Sequence, residues 1–105
     1  MARFENAQQI TKITLFKKVH AFCPLGNDWY TNNLTIIIEP GPYIPDYIEI
    51  EAEIQKLEGQ NLIIEDIVDS ISNILKEYEV KSANIISEVD DATHLKVRVE
   101  KTINN

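Results

Sequence analysis

The sequence predicts an α+β domain with the order strand–strand–helix–helix–strand–strand. Three observations carry this. Period-two apolar patterning occurs in both the first and the last third of the chain. Two amphipathic helical stretches lie between, and Pro, Gly and Asn gather where the pattern changes. With 105 residues, 44% of them hydrophobic, the chain is expected to form one domain over residues 1–105, with loose ends at 1–9 and 104–105.

Ile10 to Phe22 reads as the first strand. Ile13, Leu15, Val19, Ala21 and Cys23 fall on one face, and Lys12, Thr14, Lys18 and His20 on the other, joined there by Phe16 and Phe22. Pro24 to Asn33 is expected to be a loop, Leu34 to Glu39 a second strand, and Pro40-Gly41-Pro42 its end. Asp46 is a candidate cap for a short helix whose apolar residues are Tyr47, Ile50, Ile54 and Leu57, stopped by Gly59. Ile64, Ile67, Val68, Ile71, Ile74, Leu75 and Tyr78 form the clearest helical stripe. Glu65, Asp66 and Asp69 lie in its first turns and Lys76 near its end, as the helix dipole favours. Val80 to Val89 is the third strand, Asp90-Asp91 a turn, and Thr93 to Ile103 the fourth strand. In that last strand Leu95, Val97, Val99 and Ile103 alternate with His94, Lys96, Arg98, Glu100 and Thr102. Both helices should cover one sheet face, leaving a face with Lys12, Lys18, His20, Lys96 and Arg98 uncovered. The sheet's two edges stay open, and closing several chains into one barrel would remove them.

Seventeen acids against ten bases give a net charge of −7. Residues 46–79 alone carry ten acids and two bases, the pattern of solvated helix faces. Direct nucleic-acid binding is disfavoured, because affinity for a phosphate backbone comes from neutralising it. No apolar run approaches the roughly 18 residues of a membrane span. No leader segment is evident, so the expected compartment is the cytoplasm. One cysteine, Cys23, forms no internal disulfide, and two histidines, His20 and His94, fall short of a zinc site. No metal and no cofactor are expected.

Cys23 reads either as a small buried apolar residue or as a nucleophile. Asp28 reads as turn chemistry or as an acid. Glu65 suits a helix start, and its carboxylate also matches two parallel N–H donors of a ring edge. Trp29 and Tyr30 offer flat surfaces for a ring or an interface.

The order of elements is that of the tunnelling fold, whose members bind purine- or pterin-like rings at subunit interfaces. Cys23-Pro24-Leu25 followed by Asp28 resembles the Cys-Pro…Asp element of the QueF and QueF-like branch. Ile64-Glu65-Asp66 is similar to that family's His-Glu-Asp, with Ile64 in place of the His. Ile48-Glu49 stands where the family opens its first helix with a Glu, and the rest of that motif is absent. The resemblance implies a homo-oligomer that binds 7-cyano-7-deazaguanine or a related ring. It implies that Cys23 adds to the nitrile as a thioimide, that Asp28 donates the proton, and that Glu65 and Glu49 bind substrate. Glu88, after an apolar strand, resembles the anchoring Glu of the pterin synthases. The Cys-to-Asp interval is two residues shorter than in typical members, so strict spacing puts Tyr30, and a deletion puts Asp28, at the acid's place. Amidino transfer, as in archaeosine synthesis, fits the length better than nicotinamide-dependent reduction. The alternative is a non-catalytic ligand-binding or assembly protein of the same fold, lacking the family His.

Overall fold

The structure, a computed structural model, describes residues 3–91 and 95–105. In chain order the elements are β1 (Arg3–Glu5), β2 (Ile13–Cys23), β3 (Asp28–Glu39), β4 (Tyr43–Pro45), α1 (Tyr47–Gln55), α2 (Ile64–Lys76), β5 (Ser82–Val89) and β6 (Val97–Asn104). The main sheet runs β2-β3-β5-β6 and is antiparallel throughout. This is the expected two-hairpin, two-helix arrangement, with one small addition, a ribbon in which β1 pairs with β4.

Alternation decides the two faces of the sheet. Val19, Ala21, Leu34, Ile36, Ile38, Ala83, Ile85 and Ile103 point to one side. There they form a single core with Ile50 and Ile54 of α1 and with Ile67, Val68, Ile71 and Leu75 of α2. α2 buries the stripe its periodicity indicates, whereas α1 buries Ile50 and Ile54 and leaves Tyr47 exposed. Asp46 caps α1, its carboxylate accepting from the backbone N–H groups of Ile48 at 3.0 Å and Glu49 at 3.3 Å. α2 begins after Ile63 with no side-chain cap. The core also contains a polar pair, in which Ser87 Oγ donates to Asn32 Oδ1 at 2.8 Å while Asn32 Nδ2 donates to the Val19 carbonyl at 3.2 Å.

The opposite face is uncovered. Register places Lys18, Asn33, Glu88 and Arg98 in one row across the four strands, and Phe16, Thr35, Ile86 and Glu100 in the next. Phe16 is 78% exposed there. Lys18, His20 and Arg98 lie on this face as expected, whereas Lys12 and Lys96 fall just outside the strands. Thr93 and His94 lie outside the described residues.

Several boundaries differ from the sequence reading: β2 begins at Ile13 rather than Ile10, and β5 at Ser82 rather than Val80. The first loop is only residues 24–27, because residues 28–33 continue β3 as a ladder against β2. Arg3–Glu5 is a paired strand, and Arg3 also bonds Glu79 and stacks over the Tyr43 ring at 4.1 Å. At the other end, Asn104 belongs to β6 and the Asn105 N–H donates to the Lys81 carbonyl. Leu95 precedes β6 and is exposed. No helix among the described residues is long and apolar enough to cross a membrane.

Ile71 is fully buried at the centre of α2's inner face. Ile71→Ala should cost about 2–5 kcal/mol, and Ile71→Val about 0.5–1.5 kcal/mol, in urea denaturation of the purified chain.

Candidate functional site

The β2–β3 ladder closes at Cys23, whose partner across the hairpin is Asp28. The four connecting residues turn tightly. Asn27 adopts a positive φ of 54°, a conformation Asn tolerates, and its N–H donates to the Cys23 carbonyl at 2.8 Å. The Gly26 N–H donates to Cys23 Sγ at 3.3 Å. Directly opposed residues of such a ladder have Cα atoms roughly 4.5–5.5 Å apart. The acid at the hairpin mouth is therefore Asp28, and Tyr30 lies two residues further along. Asp28 Oδ1 accepts from the Trp29 N–H at 2.8 Å, which orients the carboxylate. Cys23 is half-buried against the core, and Asp28 is exposed.

The connection between the helices runs along the outer edge of β2. The Gly59 N–H donates to the His20 carbonyl at 2.8 Å, the Phe22 N–H to the Gln60 carbonyl at 2.9 Å, and the Leu62 N–H to the Phe22 carbonyl at 3.2 Å. Phe22 and Asn61 form a parallel bridge. Glu58 closes this clasp. Its carboxylate accepts the His20 backbone N–H at 2.8 Å and lies 2.9 Å from His20 Nδ1. From Leu62 the chain turns into α2, whose first turn carries Glu65 and Asp66. The Tyr30 hydroxyl reaches across from β3 and donates to the Leu62 carbonyl at 2.5 Å.

Tyr30 reports which groups share this end of the molecule. Burial pushes its hydroxyl up to about 12. The Asn32 side chain works against that shift, and charge on Cys23, Glu65 and Asp66 adds to it. Tyr30 therefore keeps its proton, and two of the candidate groups, Cys23 and Glu65, are near enough for their charge to act on it. Cys23 and Asp28 at the hairpin mouth and Glu65 at the start of α2 lie at one end of the domain, linked through Tyr30 and Leu62.

Glu49 and Glu88 stand elsewhere. Glu49 hydrogen-bonds Tyr78, whose hydroxyl is likewise pushed up to about 12, by burial first and then by Glu49. Tyr78 lies beyond the C-terminus of α2, a helix length of roughly 20 Å from Glu65. Glu88 pairs with Asn33 of β3, five residues from Asp28, and projects from the uncovered face. That separation is roughly 17 Å along the strand. Within one chain neither carboxylate reaches Cys23. Ile64, half-buried, packs against the core at the start of α2. Trp29 and Phe22 make an edge-to-face pair with ring centroids 5.4 Å apart, on the strand face opposite Cys23. Among the described residues, no group of three His, Cys, Asp or Glu side chains is placed to hold a metal ion.

The paired hairpins, the two helices on one face and the uncovered opposite face make this a tunnelling-fold domain. A solved structure with this fold is the crystal structure of the archaeosine synthase QueF-Like in the apo form. It matches with a TM-score of 0.77 over 89% of this chain and 93% of that one, at 11% sequence identity. No protein-family model matches the sequence, and no curated protein matches it.

Two features of the site carry no sequence signal: the clasp at residues 58–62 and the Tyr30–Leu62 bond. The clasp can be tested through Glu58. Burial alone would raise its carboxyl, but the bonds from the His20 ring and backbone outweigh burial and hold it below the usual range. A depressed folded-state value stabilises the fold above the ordinary glutamate pKa of about 4.3, and the contribution disappears as pH falls through the depressed value. Glu58→Gln should therefore lower the urea midpoint at pH 7, and the gap from the parent should close towards pH 3.

Proposed function

We propose that this chain is a QueF-like tunnelling-fold protein that binds a 7-deazaguanine or related purine or pterin ring between copies of itself and acts on a nitrile through Cys23. The observation that carries the reading is the direct cross-strand pairing of Cys23 with Asp28, beside the start of α2 that bears Glu65. The fold shared with an archaeosine synthase supports it. In the reaction the Cys23 thiolate adds to the nitrile carbon, and one C–N π bond becomes a lone pair on nitrogen. Asp28 delivers a proton to that nitrogen, giving a neutral thioimide. A primary amine or ammonia then attacks the same carbon, gives one N–H proton back to Asp28 and expels the thiolate, leaving an amidine. Glu65 accepts two N–H bonds from the ring edge. No cofactor is required by these steps. A free thiol nucleophile suits the reducing cytoplasm.

Assembly follows from the edges. Among the described residues, the outer edge of β2 is clasped near its C-terminal end and not at Thr14, Phe16 and Lys18. A groove of about 450 Å³ runs beside that stretch, lined by Leu15, Phe16, Tyr47, Ile48 and Ile54. Pairing this edge with β6 of a second copy would continue the antiparallel order and close a ring. The row of Lys18, Glu88 and Arg98 would then face its interior. Glu88 and Glu49 would reach a ring held at Cys23 only from a neighbouring copy.

A second reading is a binding protein of the same fold without chemistry. The observation favouring it is Ile64, which puts packed hydrocarbon where the resemblance has an acid–base His.

Intact mass spectrometry after incubation with 7-cyano-7-deazaguanine separates the two. The enzyme reading expects an adduct of one ligand mass that is absent in Cys23→Ala, with native mass spectra showing a closed oligomer. Ligand-induced thermal stabilisation without an adduct would favour the binder. A monomer with neither response would remove both.

A further inference from the structure

The start of α2 has no cap of its own. Ile63, at the cap position, offers no side-chain acceptor, so the first turn is held by the packing of Ile64, Ile67 and Val68 and by bonds to the residue before the cap. That residue is Leu62. The Leu62 N–H is held by the carbonyl of Phe22, the residue before Cys23. The Leu62 carbonyl is held by the hydroxyl of Tyr30, two residues after Asp28. Both strands that carry the reacting pair thus grip one residue, and Glu65 follows it by three positions. Tyr30 can do this because its ring is only 6% exposed and is held among core residues, so the hydroxyl has little freedom to move.

We infer that Tyr30 is the positioning residue of this site, its hydroxyl setting the distance of Glu65 from the Cys23–Asp28 pair through the Leu62 carbonyl. This deepens the proposed function and rests on it for its consequence in substrate binding. Its structural half, the clamp, stands apart from any substrate. Tyr30 touches neither ring nor nitrile. It determines where the anchoring carboxylate stands, so its loss weakens ring binding and leaves the chemistry of the bound complex largely intact.

The test uses Tyr30→Phe, which keeps the ring in the core and removes only the hydroxyl. Amide hydrogen exchange should speed up at residues 62–67 of the variant, while residues 71–76, at the other end of the same helix, keep the parent's rates. Unchanged exchange at residues 62–67 overturns the inference, whatever the protein does with a ligand. Cys23 alkylation by iodoacetamide should be unaltered, since the thiol's own surroundings remain. The concentration of 7-cyano-7-deazaguanine that half-saturates adduct formation should rise about tenfold, the effect of losing one well-placed hydrogen bond, with the limiting rate within about twofold. Glu65→Gln should show the same split, and the double variant should be no worse than Glu65→Gln alone. Additive losses in the double variant overturn the route through Glu65. If the parent protein forms no adduct while exchange at residues 62–67 still responds to Tyr30→Phe, the clamp stands and the proposed function falls.

Discussion

The register of β2 against β3 is the constraint from which the rest of the structure follows. Eleven residue pairs run from Ile13 opposite Ile38 to Cys23 opposite Asp28. Side chains alternate between faces, so a slip of one residue would turn Val19 and Ala21 out of the core. The same slip would carry Cys23 to the uncovered face. Core and site are therefore specified by one ladder. A chain that packs its isoleucines correctly also delivers the thiol and the carboxylate to the same hairpin mouth.

Much of the framework was legible because it depends on periodicity. The stripe of α2 and the alternation of β2 are repeated over enough residues to survive exceptions such as Phe16. The Asp46 cap was legible because capping is local chemistry. The first half of β3 was not. Asn32 and Asn33 read as loop residues, yet Asn32 is satisfied inside the core by Val19 and Ser87, and Asn33 Nδ2 donates to the Glu88 carbonyl at 3.0 Å. Partners 13 to 55 residues away override turn preference, and a single sequence does not display them. β1 was missed for a different reason, since three residues are too short to show a period.

The candidate site divides in the same way. Cys23, Asp28 and Glu65 were named from local motifs, but the interval between the first two left Asp28 and Tyr30 as rivals. The four-residue turn gives each a distinct place. Asp28 stands opposite the thiol, and Tyr30 is committed to Leu62. Glu49 and Glu88 were chosen on equally local grounds, and the fold sends them to other surfaces. Motif reading locates residue types, whereas their convergence depends on which strand neighbours which helix end. At 11% identity to a solved structure, the fold is shared where most residue identities are not.

The partial cover on β2 also bears on how the chain survives its own synthesis. A fully bare edge of eleven residues, with Phe16 standing 78% exposed beside it, would be a template for fibrillar stacking in a crowded cell. The segment from Gly59 to Leu62 blunts the end nearest the hairpin mouth. Lys12, Lys17 and Lys18 bracket the aromatic residue on the remainder, as gatekeeper charges do beside unavoidable apolar strands. What is left is a short, lysine-flanked stretch. Such a stretch is a poorer template for indiscriminate stacking than a bare edge of the same length.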